Sequence, residues 1–217
     1  MTTYVIVTIS LTQQDYEIRK KEYTTCINQL INIKKLNDNI KVVLVENVIK
    51  GTIDQTDNKE KSPSCKTFLD DFNLPVLYTN NNNLKTNNKG NKELQDVFDC
   101  IHHFGIKDED FIVKITGRYY FNNHETFFKN INSENDCIIK YGPYMSSDIT
   151  TTRTGDCITG LIGMRCKYVK QIEFLNEYGC IEWNWAKTSL KIPEKNVCIL
   201  PMLDMFIAPG SHSFFLR

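Results

Sequence analysis

The chain has 217 residues, and its 26 basic and 26 acidic side chains give a formal net charge of +0. A chain of this length most often forms one domain with a substantial core. The balanced charge argues against a nucleic-acid partner bound through a broad basic face. No apolar run reaches the roughly 18 residues of a membrane-spanning helix, so we expect no membrane span.

The first residues and the cysteines indicate the compartment. The start of the sequence, MTTYVIVTISLTQQDY, has neither the basic segment nor the small-residue cleavage site of a secretory signal peptide. The eight cysteines are scattered and include no CxxC pair, whereas zinc sites need closely spaced ligands. These features predict a cytoplasmic chain with reduced, mostly buried cysteines.

The first part of the chain alternates strand and helix patterns. Residues 3–10 form a β-branched run typical of a buried parallel strand, and an apolar helical period follows over residues 23–31. Residues 41–47 predict a second buried strand, and the polar residues 50–66 predict a loop. A short third strand is predicted at 75–78.

The same alternation continues to the end of the chain. A helix is predicted over residues 94–104, because its apolar residues share one face and Gly105 follows as a stop. Further strands are predicted at 111–115, 137–140 and 197–200. Strands that alternate with helices indicate a single α/β domain with a mainly parallel central sheet flanked by helices.

Polar residues follow the predicted strands, at the sheet edge where ligands bind in α/β domains. Arg118 supplies a fixed cation for phosphate, and its neighbours supply hydrogen bonds for a base and a ribose. Lys89 and Gly90 open a helix, whose N-terminus favours anions. We therefore predict a site for a phosphate-bearing ligand, formed by Thr8, Ser10, Arg19, Glu46, Asn80, Lys89, Gly90, Thr116, Gly117 and Arg118.

Two common nucleotide-binding motifs are absent. No GxGxxG follows the first strand, which argues against a dinucleotide-binding Rossmann domain. No GxxxxGK followed by Ser or Thr is present, which excludes the P-loop kinases and ATPases.

The order of these pieces resembles the nucleotide-sugar glycosyltransferases of fold A (GT-A), over nearly the whole chain. A strand opens at Tyr4, a second ends in an acid, Asn88-Lys89-Gly90 precedes a helix, and another strand ends where that family carries Asp-x-Asp. The segments 155–165 and 180–187 look like the family's acceptor loop and catalytic region. Small glycosyltransferase domains of large DNA viruses, such as the chloroviruses, are similar.

The resemblance implies a hexosyl- or deoxyhexosyltransferase. Such an enzyme takes a sugar from a nucleotide-diphosphate donor, most commonly UDP-linked, and passes it to a glycan or another hydroxyl acceptor. Residues 1–120 would form the nucleotide-sugar-binding half and residues 121–217 the acceptor-binding half. A viral member would act in the cytoplasm of the host.

The chain departs from the family at the Asp-x-Asp position, which reads Thr116-Gly117-Arg118. The literal match Asp108-Glu109-Asp110 precedes the strand, so five residues at ~3.3 Å each put it about 16 Å from the carboxyl edge. We therefore expect Arg118 and Lys89 to neutralise part of the diphosphate charge. A divalent cation, Mn²⁺ or Mg²⁺, is then either not required or is bridged by the diphosphate. The alternative is that Arg118 only pairs with a structural carboxylate.

Sugar transfer with inversion needs a base that takes the proton of the acceptor hydroxyl. Glu182 is the first candidate because it lies in the apolar and aromatic segment CIEWNWA, and Asp156 is the second. The alternative is that Glu182 caps a helix while the tryptophans fill the core. Acceptor contacts are predicted for Thr159, Gly160, Trp183 and Arg165, and His212 has a weaker expectation of reaching the diphosphate.

Two other functions stay open. Without Asp-x-Asp, the chain would also suit a catalytically inactive carbohydrate- or nucleotide-binding domain. A sugar-phosphate nucleotidyltransferase has a similar core but would carry a glycine-rich basic loop after its first strand. The segment TISLTQQDYEIRK contains no glycine, which argues against that activity.

Overall fold

A computed structural model describes residues 1–11, 16–48, 68–122, 125–142, 152–176, 178–207 and 214–216. The predicted loop at 50–66 and the candidate His212 lie outside these residues.

The strands of the described residues form two sheets. The strands are β1 (Thr3–Ile9), β2 (Ile40–Glu46), β3 (Val76–Tyr78), β4 (Phe111–Thr116), β5 (Tyr120–Phe121), β6 (Cys137–Ile139), β7 (Leu161–Arg165), β8 (Val197–Ile199), β9 (Met205–Ile207) and β10 (Phe214–Leu216). The larger sheet has seven strands in the order β3-β2-β1-β4-β7-β6-β8, and the smaller has the order β10-β9-β5.

The large sheet is mainly parallel, as predicted. Strands β1 to β4 all run in one direction, and β8 runs parallel to β6. Strand β7 lies antiparallel between β4 and β6. Each of the six predicted strand segments overlaps one of these strands, whereas β7 falls in a segment that was interpreted as an acceptor loop.

Strand β7 needs a glycine because of its neighbour in the sheet. A Cβ atom on Gly163 would lie 2.5 Å from Cε1 of Phe111, which is closer than non-bonded atoms approach. The glycine therefore makes room for the Phe111 ring on β4 rather than for a ligand.

Helices cover both faces of the large sheet. They are α1 (Tyr16–Leu36), α2 (Lys89–His103), α3 (Glu125–Phe128), α4 (Cys166–Val169) and α5 (Ile181–Leu190). Because side chains alternate along β1, Val5 and Val7 pack in one core with α1, whereas Tyr4 and Ile6 pack in the other with α2 and α5. No helix in the described part of the chain combines the length and the apolar character needed to cross a bilayer.

The starts of α2 and α5 meet at the carboxyl edge of β1 to β4. A Cβ atom on Gly90 would lie 2.4 Å from Cγ2 of Ile181, so the two helices approach closely at this glycine. Asn88 caps α2 by accepting from the Asn91 N–H at 3.2 Å, and its amide donates to the Gly179 carbonyl at 2.7 Å. These contacts fix the two helix starts against each other.

Candidate active site

A cavity of about 380 Å³ opens between the starts of α2 and α5. It brings together four residues that the sequence assigned to the site, namely Lys89, Gly90, Thr159 and Glu182. Its full lining is Asn88, Lys89, Gly90, Glu93, Thr159, Gly179, Cys180, Ile181 and Glu182.

The carboxylate of Glu182, in the first turn of α5, receives a hydrogen bond on each oxygen. The Thr159 hydroxyl donates to Oε1 at 2.9 Å, and the Cys180 thiol donates to Oε2 at 2.7 Å. Burial, together with the nearby Glu182 carboxylate, raises the pKa of Cys180 to about 11, so the thiol keeps its proton near neutral pH. A carboxylate has about four acceptor positions, so Glu182 can still accept a proton from a ligand.

Asp156, the second candidate base, lies close enough to Glu182 to interact electrostatically with its carboxylate. Burial raises the pKa of Asp156, the Cys157 N–H bond at 2.9 Å opposes the rise, and the Glu182 charge adds to it. The two candidate carboxylates are therefore electrostatically coupled neighbours.

Lys114 is a buried cation at this edge that the sequence analysis did not single out. Its side chain is 3% exposed, and its ammonium forms an ion pair with Glu93. It also donates to the Thr116 hydroxyl at 3.0 Å and to the Thr159 carbonyl at 2.9 Å. Its position could have been inferred from the sequence, because Lys114 lies inside the apolar segment FIVKI. A lysine in a strand that is buried on both faces needs a partner for its charge.

Arg118 lies on the α1 side of the edge. Its Nε donates to Oε2 of Glu22 at 2.6 Å, and this ion pair is mostly buried. A Cβ atom on the adjacent Gly117 would lie 2.9 Å from both Tyr23 and Val7. The structure thus places Arg118 beside a carboxylate of α1, as the alternative interpretation had it, and gives Gly117 a packing role.

Two further predicted residues, Arg19 and Glu46, bind the backbone at the ends of β1 and β2. The Arg19 guanidinium donates to the Ser10 carbonyl at 2.7 Å. The fully buried Glu46 accepts from the N–H groups of Leu11 and Val48, each at 3.0 Å. Thr8 is also buried, whereas Asn80 is exposed after β3.

A buried polar network joins the ends of β1, β2 and β3 to α2. Asp96 accepts from Asn47 at 2.7 Å, Thr79 at 3.0 Å and Asn81 at 2.7 Å. Asn47 in turn accepts from the Ser10 hydroxyl at 2.6 Å. Burial raises the pKa of Asp96 to about 7, although these donors oppose the rise.

Asp96 was not among the predicted site residues, although its spacing in the sequence indicates that it is buried. It lies three residues after Glu93 and four before the buried Cys100, so all three share one face of α2. An acid on the buried face of a helix requires a polar partner.

The predicted acceptor residues divide between two places. Trp183 is 52% exposed near the cavity, whereas Trp185 is 2% exposed and belongs to the core. The Gly160 carbonyl accepts from the Thr116 N–H at 2.9 Å, so it lies at the carboxyl edge as well.

Arg165 does not lie where its predicted contact with the acceptor would require. Because β7 is antiparallel, its last residue pairs with Phe111 at the amino end of β4. There the Arg165 guanidinium donates to Asp136 at 3.1 Å and to the Glu109 carbonyl at 2.9 Å. The predicted contact between Arg165 and the acceptor is therefore inconsistent with its position, on the opposite edge from the cavity.

The acidic match Asp108-Glu109-Asp110 also lies at that opposite edge. Asp108 forms an ion pair with Lys170 at 2.6 Å, and Asp110 accepts from the Thr2 N–H at 2.9 Å. Asp110 is buried, so it is a structural acid.

The described residues do not fit a protein-held divalent cation. They contain no cluster of three histidine, cysteine, aspartate or glutamate side chains that could hold a metal ion. At the Asp-x-Asp position, the Thr116 hydroxyl accepts a hydrogen bond from Lys114, and the Arg118 guanidinium donates one to Glu22. We therefore derive no catalytic step through a metal held by these residues.

No family model and no curated protein matches the chain. Solved structures do. The mannosyltransferase PcManGT from Pyrobaculum calidifontis, in complex with GDP-Man and Mn²⁺, matches with a TM-score of 0.50 at 11% identity. The match covers 91% of this chain and 56% of that one, so the present chain spans little more than half of the mannosyltransferase.

Two further structures are less similar. An inositol-1-phosphate CTP transferase from T. maritima has a TM-score of 0.49 at 13% identity, over 92% of this chain and 85% of that one. A glycosyltransferase involved in glycosylation of the major capsid of PBCV-1 has a TM-score of 0.39 at 6% identity, over 79% and 63%. Such identities bear on the fold alone. The chain therefore has the GT-A-like α/β fold that its sequence predicted.

Proposed function

We propose that this chain is a glycosyltransferase that moves a sugar from a nucleotide-diphosphate donor to a hydroxyl group of a glycan or another acceptor. The main support is the Glu182 carboxylate, which lines a cavity at the carboxyl edge of a GT-A-like sheet. Ligands of open α/β sheets bind at that edge.

In the proposed reaction, Glu182 takes the proton of the acceptor hydroxyl, and the hydroxyl oxygen attacks the anomeric carbon of the sugar. The bond between that carbon and the diphosphate breaks, and the nucleoside diphosphate leaves with the bonding electrons. Attack from the face opposite the leaving group inverts the anomeric centre. Asp156 is the second candidate for the same role.

The donor half of the site is assigned to residues 1–120. Lys89 and the start of α2 line the cavity, and cations and helix N-termini stabilise phosphate groups. Arg118 is the second cation of the proposal, and Ser10 and Asn80 offer hydrogen bonds for the nucleoside. The preferred donor is UDP-linked, with a hexose or deoxyhexose.

The acceptor half is assigned to residues 121–217. Thr159 and the segment 179–182 line the cavity from this half, opposite the residues of α2. The exposed Trp183 offers an aromatic face for a sugar ring, and Gly160 lies beside Thr159.

The proposal is tested by incubating the protein with a panel of nucleotide sugars and glycan acceptors, with and without Mn²⁺. We expect release of a nucleoside diphosphate together with a glycosylated acceptor, detected by mass spectrometry, and an inverted anomeric centre by NMR. Release of a nucleoside triphosphate from a nucleotide sugar and pyrophosphate would indicate a nucleotidyltransferase instead. Binding of the donor without transfer or hydrolysis would indicate an inactive binding domain.

A further inference from the structure

We infer that Thr159 and Lys114 are positioning residues for the proposed base, through contacts that orient the Glu182 carboxylate. The inference rests on the proposed function. It concerns two side chains that reach the carboxylate from another part of the fold and that the sequence did not connect with it.

Thr159 is the direct contact. Its hydroxyl donates to Oε1 of Glu182 at 2.9 Å, and the residue is 4% exposed. A hydrogen bond to one carboxylate oxygen limits the rotation of the group and so the direction in which it can accept a proton. A buried donor is also little weakened by competition from water.

Lys114 holds Thr159 in place. An ammonium has three donors, and those of Lys114 meet the Thr159 carbonyl, the Thr116 hydroxyl and the Glu93 carboxylate. Lys114 therefore has no donor left for a phosphate, and its charge fixes the backbone that carries the Thr159 hydroxyl.

The backbone on both sides of Thr159 is pinned as well. The Ile158 N–H donates to the Lys140 carbonyl at 3.0 Å, and the Gly160 carbonyl accepts from Thr116 at 2.9 Å. Thr159 thus offers its hydroxyl from a backbone with little freedom to shift. A fixed donor limits the directions in which the carboxylate can point, and orientation of a base is part of its efficiency.

Other titratable groups surround the Glu182 carboxylate. Asp156, Cys157, Cys180 and Tyr119 interact with its charge. Lys89 and Glu93 line the same cavity, and Lys114 lies behind Thr159. A test must therefore change the Thr159 hydroxyl alone and leave these groups in place.

The test compares Thr159→Val with Thr159→Ser in the transfer assay. Valine keeps the shape and removes the donor, so we expect kcat to fall about tenfold or more with an unchanged Kd for the donor nucleotide. Serine restores the hydroxyl and should recover most of the rate.

The matched control is Thr188→Val, which makes the same change at a threonine of α5 that is 3% exposed. It should lower the free energy of unfolding and leave kcat unchanged. Lys114→Met should reproduce the effect of Thr159→Val. Because that variant leaves Glu93 without its partner, Lys114→Met/Glu93→Gln provides a second variant with neither charge.

The outcomes separate the two proposals. A parent protein that transfers no sugar overturns the proposed function, and this inference with it. An active parent whose Thr159→Val variant keeps the parent's kcat overturns the inference alone. The same holds if Thr188→Val lowers kcat as far as Thr159→Val does.

Discussion

Glu182 accepts one hydrogen bond on each carboxylate oxygen, and a glutamine at this position keeps the shape and one of the two acceptors. Glu182→Gln should therefore preserve the fold and the affinity for the donor. Transfer should fall by about 10²-fold or more, the usual scale for the loss of a general base. Rate measurements with a calorimetric Kd for the donor check both parts. If the variant transfers at the parent's rate, Asp156 becomes the base to test.

Arg118 lies in a mostly buried ion pair with Glu22, and this pairing gives its proposed phosphate contact a matched control. Arg118→Ala should weaken the binding of nucleoside diphosphates by ~1.5–3 kcal/mol, the range for charged hydrogen bonds. The binding of the bare nucleoside should change little. Glu22→Gln should lower stability but leave the affinity for the diphosphate within about twofold.

Titration calorimetry and urea unfolding of both variants check this prediction. If the two variants lose similar stability and both keep the affinity of the parent, Arg118 is only a structural partner of Glu22. In that case the phosphate site contains Lys89 without Arg118.

Single residues also show where reasoning from sequence ends. The Arg118 charge could be placed at the carboxyl edge because it follows a buried strand. Its partner Glu22 is 96 residues away on α1, and no local pattern joins the two. Ion pairs of this kind depend on how elements pack, so the sequence predicted the charge but not its partner.

At the scale of elements, α2 contributes residues both to the cavity and to the buried network around Asp96. Burial raises the pKa of Asp96 from 3.8 to about 7 in the folded protein. Between about pH 4 and pH 7, the folded chain therefore keeps a proton that the unfolded chain has lost. The free energy of unfolding should fall as the pH rises through this window, by up to about 1.4 kcal/mol per pH unit from this group.

Asp96→Asn removes this titration, so its unfolding free energy should depend less on pH over the same window. Urea unfolding of the parent and the variant at about pH 5, 6 and 7 measures the difference, in which the other titrating groups cancel. Parallel curves for the two proteins would show that Asp96 is already ionised across the whole range.

The elements also divide into those that local patterns predict and those that they do not. Strands β1, β2 and β4 were predictable because long β-branched runs are typical of strands buried on both faces. Strand β7 was missed because it contains Gly163, and a glycine within a short apolar run is also typical of a turn. Its glycine reflects contact with Phe111, a residue of a neighbouring strand, and its direction depends on the topology of the sheet.

At the scale of the whole molecule, the two sequence halves meet at one cavity. Lys89 and Glu93 line it from α2, whereas Thr159 and Glu182 line it from the second half. The sequence supported this convergence because carboxyl ends of parallel strands share an edge. It could not show that Arg165 lies at the other edge, since that follows from the antiparallel direction of β7.

The cavity leads to a prediction about ligands. A nucleoside diphosphate should stabilise the protein much more than the bare nucleoside does, because Lys89 and the start of α2 line the cavity and both attract anions. At 100 times its Kd, a ligand adds ~2.7 kcal/mol of stability, which corresponds to a rise of about 5–11 °C in Tm for a chain of this size.

Thermal unfolding with UDP and with uridine, each with and without excess chelator, measures this difference directly. Lys89→Gln should reduce the shift caused by UDP and leave that caused by uridine unchanged. Lys35→Gln, at an exposed lysine in the last turn of α1, should change neither shift. Equal shifts for UDP and uridine at matched saturation would contradict a phosphate site at this edge. Loss of the UDP shift in chelator, with Lys89→Gln behaving as the parent, would transfer the phosphate contact from this lysine to a metal ion.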